Sequence, residues 1–112
     1  MVTITILYPN KEGGRFNVDY YVNTHMPMSI AKFGEALKSV NISIGQNAGT
    51  PGSQPPYIAI CQMLFESQDA FMQRFNEISG DLIADMPAYT DIDLIFQISE
   101  AKIIQPAINQ AL

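Results

Sequence analysis

The segment Tyr57–Phe65, YIAICQMLF, sets the first limit on what this chain can fold into. It is rich in β-forming residues and follows a turn-rich stretch, so it reads as a strand, and the side chains of a strand alternate between two faces. One parity carries Ile58, Ile60, Gln62 and Leu64, and the other carries Tyr57, Ala59, Cys61, Met63 and Phe65. Both sides are apolar, whereas an antiparallel sheet with helices on one face normally shows water a polar second face. The segment Asp93–Ile104 repeats the problem, with Leu94, Phe96 and Ile98 on one side and Ile95 on the other. A bare apolar sheet face is sticky. A second copy packed face to face about a two-fold axis covers it, so a homodimer is expected. Cover in cis by the tail or the long loop is the competing arrangement, and the tail is short.

The remaining elements follow from local chemistry. Val2–Tyr8 is β-branched and stops at Pro9-Asn10, which gives the first strand. Asn17 is placed to cap a helix, with Phe16 and Tyr21 as its hydrophobic staple and Asp19 in the first turn. That helix is expected to run to about His25, to be interrupted at Pro27 and to continue in a new direction over Pro27–Phe33. Val40, Ile42 and Ile44 alternate with polar residues inside Ala36–Gln46, a second strand. Gln46–Pro56 is loop composition. Ser67 caps a second helix whose apolar stripe is Phe71, Phe75, Ile78 and Leu82, and Met86-Pro87 ends it. Asp93–Ile104 is the fourth strand, stopped by Pro106. The order β-α-β-β-α-β describes an α+β, ferredoxin-like fold: a four-stranded antiparallel sheet with helices on one face. It fills residues 1–112 as one domain, with 106–112 as a tail.

Charge narrows the partners. Six Lys and Arg against eleven Asp and Glu give a net charge of −5, and the basic residues form no run. Nucleic acid and anionic membrane surfaces both need a basic face, so neither is expected. No stretch is long enough to span a bilayer. The N-terminus lacks the pattern of a signal peptide, and Cys61 is the only cysteine, so a cytoplasmic protein without disulfides is expected. Cys61 reads as a buried small hydrophobe, and one thiol cannot build a Cys-rich zinc site. Nucleotide-binding glycine motifs, HExxH and GxSxG are absent.

His25 is the only histidine and the natural general acid or base. Tyr21, four residues earlier, shares its helix face and is a candidate to hydrogen-bond a developing oxyanion. Tyr20 is adjacent, and Met28 and Met63, with Met26 and Met86, are candidates to line an adaptable apolar pocket. Asp81, Asp85, Asp91 and Asp93 match no calcium loop and read as solvated surface. The expected ligand is a small organic molecule, and the chemistry expected of His25 needs neither cofactor nor metal. A haem with His25 as its single axial ligand is an open alternative, as is a non-catalytic, ligand-sequestering role.

The stretch ILYPN followed by RFNVDYYVNTHMPM resembles the EthD family, named for a protein of ethyl tert-butyl ether degradation. The matching residues are Phe16, Asp19, Tyr20, Tyr21, His25, Met26 and Pro27; Asn17 stands where related sequences often carry Asp. The resemblance implies the dimeric α/β-barrel fold and raises His25 as a site residue. Its fungal members are similar to decarboxylases or dehydratases of aromatic polyketides. The wider fold includes cofactor-free monooxygenases, lactone isomerases and haem-handling proteins, and the fold alone does not choose among them.

Overall fold

Pairing starts from β1 (Val2–Pro9), which lies in the middle of the sheet. In this computed structural model, which describes residues 1–106, β1 pairs antiparallel with β3 (Tyr57–Phe65) on one side and with β4 (Ile95–Glu100) on the other. β2 (Leu37–Ile44) adds to the far edge of β3, giving the order β2-β3-β1-β4. This is the expected ferredoxin-like arrangement. Ile4 stands opposite Met63 and Ile98, and Ile6 opposite Cys61 and Phe96, so these residues share the face that meets the helices.

The helix layer begins where Asn17 accepts a hydrogen bond from the Tyr20 amide at 3.0 Å. The rings of Phe16 and Tyr21 then meet edge to face at 5.0 Å, closing the staple. α1 (Val18–Tyr20), a π-helical segment (Tyr21–His25) and α2 (Met26–Phe33) follow one another without a gap. The expected interruption at Pro27 is therefore corrected. The chain widens into a π turn just before the proline, where the ring would otherwise meet the Asn23 carbonyl, and the helix continues through it. Gly34, at φ +60°, ends it in a conformation that suits glycine. α3 (Gln68–Asp85) starts at Ser67, whose hydroxyl accepts from the Ala70 amide, and passes into a 3₁₀ turn, Met86–Ala88.

β4 is shorter than the expected Asp93–Ile104, and the reason is its partner. The regular ladder ends where Val2 pairs with Glu100, and beyond it a single bond remains, from the Ala101 amide to the Met1 carbonyl at 3.0 Å. On the other side, residues before Ile95 are tied elsewhere: Thr90 bridges to Phe16, and its hydroxyl bonds the Arg15 carbonyl. β2 likewise falls short of Ala36–Gln46, because Ala36 closes a 3₁₀ turn.

The core has two aromatic centres. Phe33, Phe65 and Phe71 pack with centroids 5.1 to 6.0 Å apart. Tyr8, Phe16, Tyr21 and Tyr89 form the other, at 5.0 to 6.1 Å. On the opposite face of the sheet Leu64 is buried beside a crevice bordered by Ile103, Ile104 and Gln105, so part of that face has cover in cis. Leu7, Ile58 and Ile60 remain half-buried there, and Ile95 is exposed. The expected tail lies, from residue 107 on, outside the described residues. Among the described residues no helix is long and apolar enough to cross a membrane.

Phe65 is fully buried between the helices and the sheet. Phe65→Ala is expected to lower the free energy of unfolding by about 3–5 kcal/mol, since the cavity adds to the lost transfer energy. Ile103→Ala, at an exposed position, is expected to change it by less than about 0.5 kcal/mol. Urea denaturation of both variants checks this.

Candidate functional site

The π segment decides where His25 points. The Met26 amide donates to the Tyr21 carbonyl across the wider turn, and both Tyr21 and His25 turn inward as a result. Their rings lie nearly parallel, 16° apart in plane, at 5.9 Å. The Ser29 hydroxyl donates to the His25 carbonyl at 2.9 Å.

Four further side chains complete a polar chain through an otherwise apolar interior. His25 Nδ1 lies 2.9 Å from Asp85 Oδ2 at the end of α3. The other carboxylate oxygen of Asp85 accepts from the Tyr20 hydroxyl at 2.8 Å. On the far side of the imidazole, Tyr89 Oη lies 3.4 Å from Nε2, and Tyr8 Oη lies 2.8 Å from Tyr89 Oη. A carboxylate can only accept, so Nδ1 carries the proton it donates. In the neutral ring Nε2 is then a bare acceptor, which is the form of a general base.

The surroundings shift the acid–base groups in a consistent direction. The hydrogen bond from His25 holds the Asp85 carboxyl below its usual range, with a smaller push from Tyr20 and against some burial. Its bond to Asp85 raises Tyr20, since ionisation would set two anions together. Burial pushes Tyr8 up to about 12 and Cys61 up to about 11, and it raises Tyr21 and Tyr89 as well. These phenols therefore stay protonated and act as hydrogen-bond donors.

His25 opens on a cavity of about 200 Å³ between the sheet and the helices. Its polar atoms come from Tyr8, Tyr21, His25, Ser29, Cys61 and Tyr89, and the rest of the wall is apolar. Ile83 and Phe96 line it while remaining 60% and 41% exposed, which places the mouth between α3 and the edge strand β4. No Lys, Arg, Asp or Glu is part of the wall.

The structure brings His25, Tyr21 and Met63 of the expected site together at this wall. Tyr20 stands behind it and reaches His25 only through Asp85. Met28 is half-buried and does not line the cavity; Met26 and Ser29 occupy the inward face of that turn instead. Tyr21 lies beside the Cys61 thiol, and the hydroxyl nearest Nε2 belongs to Tyr89. Reading Asp85 as solvated surface was a misassignment, because it is the carboxylate that orients His25. A signal for it exists in the sequence: Asp85 follows Leu82 by three residues and so prolongs the stripe of Phe71, Phe75, Ile78 and Leu82. Tyr8 and Tyr89 carry no such signal.

Among the described residues no three His, Cys, Asp or Glu side chains converge on one point. A haem does not fit the site: a cavity of about 200 Å³ holds one ring with a small substituent, far less than a porphyrin.

The sequence profile of the EthD domain matches residues 16–93. An EthD-like protein of Ralstonia eutropha JMP134 is 30% identical and superposes with a TM-score of 0.88, over 94% of this chain and 95% of its own. An EthD family protein of Bacillus halodurans C-125 is 19% identical with a TM-score of 0.63, over 91% and 99%. A protein of Arabidopsis thaliana, 12% identical with a TM-score of 0.65 over 94% and 99%, shares the fold. No curated protein matches the chain.

The buried phenols and thiol give a pH dependence whose sign is fixed. Their folded values lie above the ordinary 10.0 and 9.0, so the stability they contribute is present in full below about 9 and is lost as the pH climbs towards 11 and 12. Urea midpoints are expected to be flat from neutrality to about pH 9 and to fall above it, and Tyr8→Phe is expected to soften the fall. At pH 8 the Cys61 thiol is expected to resist iodoacetamide in the native protein and to react fully in denaturant, read by mass spectrometry.

Proposed function

The chain belongs to the EthD domain family, and we propose that it binds a small, mainly apolar organic compound beside His25 and performs cofactor-free acid–base chemistry on it. The observation that carries this reading is the pairing of His25 Nδ1 with Asp85, which leaves Nε2 beside Tyr89, with His25 and Tyr89 both lining the cavity. Asp85 fixes the tautomer and stabilises the imidazolium that forms when Nε2 takes a proton. Tyr89, with Tyr21 deeper in the wall, supplies a phenolic donor for an oxygen that gains charge. The apolar walls keep water from competing for those contacts. Decarboxylation beside a carbonyl, dehydration of a β-hydroxy carbonyl compound and cofactor-free oxygenation of an enolisable ring share a carbanion or enolate, and a base in this position gives or takes its proton.

The half-buried Leu7, Ile58 and Ile60 and the exposed Ile95 support the second part of the proposal, a homodimer built on the open sheet face.

An enolisable ketone tests the chemistry. The protein is expected to accelerate deuterium exchange at the α-carbons of cyclohexanone in D₂O, followed by NMR. His25→Ala is expected to lower that rate by about 10²–10⁴-fold with circular dichroism unchanged. Asp85→Asn is expected to lower it as well, through loss of the correct tautomer. Full exchange by the His25→Ala variant removes His25 from the chemistry, and binding without exchange by the wild type leaves a ligand-sequestering protein. Multi-angle light scattering is expected to give twice the chain mass, and Ile60→Glu to return the monomer; a wild-type monomer removes the dimer.

A further inference from the structure

We infer that the ligand of this cavity is an uncharged, single-ring compound whose one carbonyl or hydroxyl oxygen sits between Tyr89 Oη and His25 Nε2, with Tyr8 as the residue that sets the direction of the Tyr89 proton. This rests on the cavity being the ligand site and adds what that site selects.

Charge comes first. The wall holds no Lys, Arg, Asp or Glu. The one carboxylate behind it has both oxygens engaged, Oδ1 with Tyr20 and Oδ2 with His25. A protonated His25 is neutralised by Asp85 at 2.9 Å, and a neutral His25 leaves an anion behind it. A ligand carboxylate would thus leave water for a site with no net positive charge. A ligand ammonium would find no free anionic oxygen. Burying either without a partner is costly.

The oxygen position follows from one distance. Tyr89 Oη and His25 Nε2 stand 3.4 Å apart, beyond the usual range for a hydrogen bond, so neither satisfies the other well. An oxygen placed beside both completes them. A ligand hydroxyl donates to Nε2 and accepts from Tyr89. A carbonyl accepts from Tyr89 and brings its α-hydrogen towards Nε2. With Nε2 unprotonated, Tyr89 is the donor at this junction, and its own oxygen is free to accept from Tyr8 at 2.8 Å. Tyr8 is therefore a positioning residue, one step removed from the ligand.

Size and shape define the rest. About 200 Å³ exceeds the roughly 150 Å³ that accommodates benzene, which admits one ring with a small substituent. Phe71, Phe75 and Phe96, packed on one another at 5.1 to 6.5 Å, form part of the wall and favour a planar body.

Methionine methyl groups report occupancy directly. Met26, Met63 and Met86 line the cavity, and Met28 does not, so ¹³C-methyl-methionine NMR carries its own control. Benzene, phenol, cyclohexanone, benzoate and benzylamine are titrated at neutral pH. Phenol and cyclohexanone are expected to shift the three lining methyls and to bind about fivefold tighter than benzene, the scale of one neutral hydrogen bond. Benzoate and benzylamine are expected to bind at least about tenfold weaker than phenol. In Tyr89→Phe the preference for phenol over benzene is expected to fall to within about twofold, and in Tyr8→Phe to fall part of the way, with benzene affinity unchanged in both. Equal binding of benzene and phenol, or tight binding of either charged compound, overturns the inference and leaves the cavity as a ligand site. Silence of the lining methyls towards all five compounds overturns the inference together with the function it rests on.

Discussion

The hydrogen bond between His25 and Asp85 joins the π segment of the first helix to the last turn of α3, 2.9 Å across. Each partner fixes what the other can do. Asp85 can only accept, so it sets the tautomer of a neutral imidazole and leaves Nε2 on the side of Tyr89. His25 in turn holds the carboxyl ionised, which keeps its second oxygen an acceptor for Tyr20. The Tyr89 and Tyr8 hydroxyls take their directions from the same choice. A single contact between two helices thereby orders donors and acceptors from the surface of the helix layer down to the central strand.

The cost of placing that chain inside a small domain is met by completeness. Among the described residues every buried side-chain nitrogen and oxygen has a hydrogen-bond partner, although the junction of Tyr89 with His25 Nε2 is loose at 3.4 Å. A polar network paired in this way specifies one arrangement of the core and leaves slack only at that junction, which faces the cavity wall. The aromatic rings around it serve the same end. Tyr8, Tyr21 and Tyr89 bury their faces against one another and Phe16, and this packing holds their hydroxyls in place. Packing and site chemistry use the same residues, so substitutions that keep ring shape and remove only the hydroxyl separate the two contributions.

Much of the fold was legible because its signals are local. Asn17 and Ser67 cap helices as their side chains dictate, and the two-sided apolar pattern of Tyr57–Phe65 marks a strand that needs cover above and below. The errors came where a distant partner decides. β4 stops at Glu100, where its ladder with β1 ends opposite Val2, a fact that composition around Asp93–Ile104 does not contain. Pro27 looked like a break because the π turn that accommodates it leaves no mark in residue type. His25 and Tyr21 were found from spacing on one helix. Asp85, Tyr89 and Tyr8 lie 60, 64 and 17 residues from His25 along the chain, and only the folded sheet brings them together.

Family membership and fold similarity bear differently on the chemistry. The Bacillus and Arabidopsis structures, at 19% and 12% identity, share this backbone, and a shared backbone hosts unrelated reactions. In this chain the apolar stripe of Phe71, Phe75, Ile78 and Leu82 ends in a carboxylate, Asp85, bonded to His25. With an apolar residue in place of Asp85, α3 would still pack against the sheet through Phe71 and Ile78, and the fold would persist. His25 would then lose its orienting acceptor, and Nδ1–H and Nε2–H tautomers would compete for the same cavity. Packing gives no reason for a carboxylate at this position, whereas its hydrogen bond to His25 gives it one.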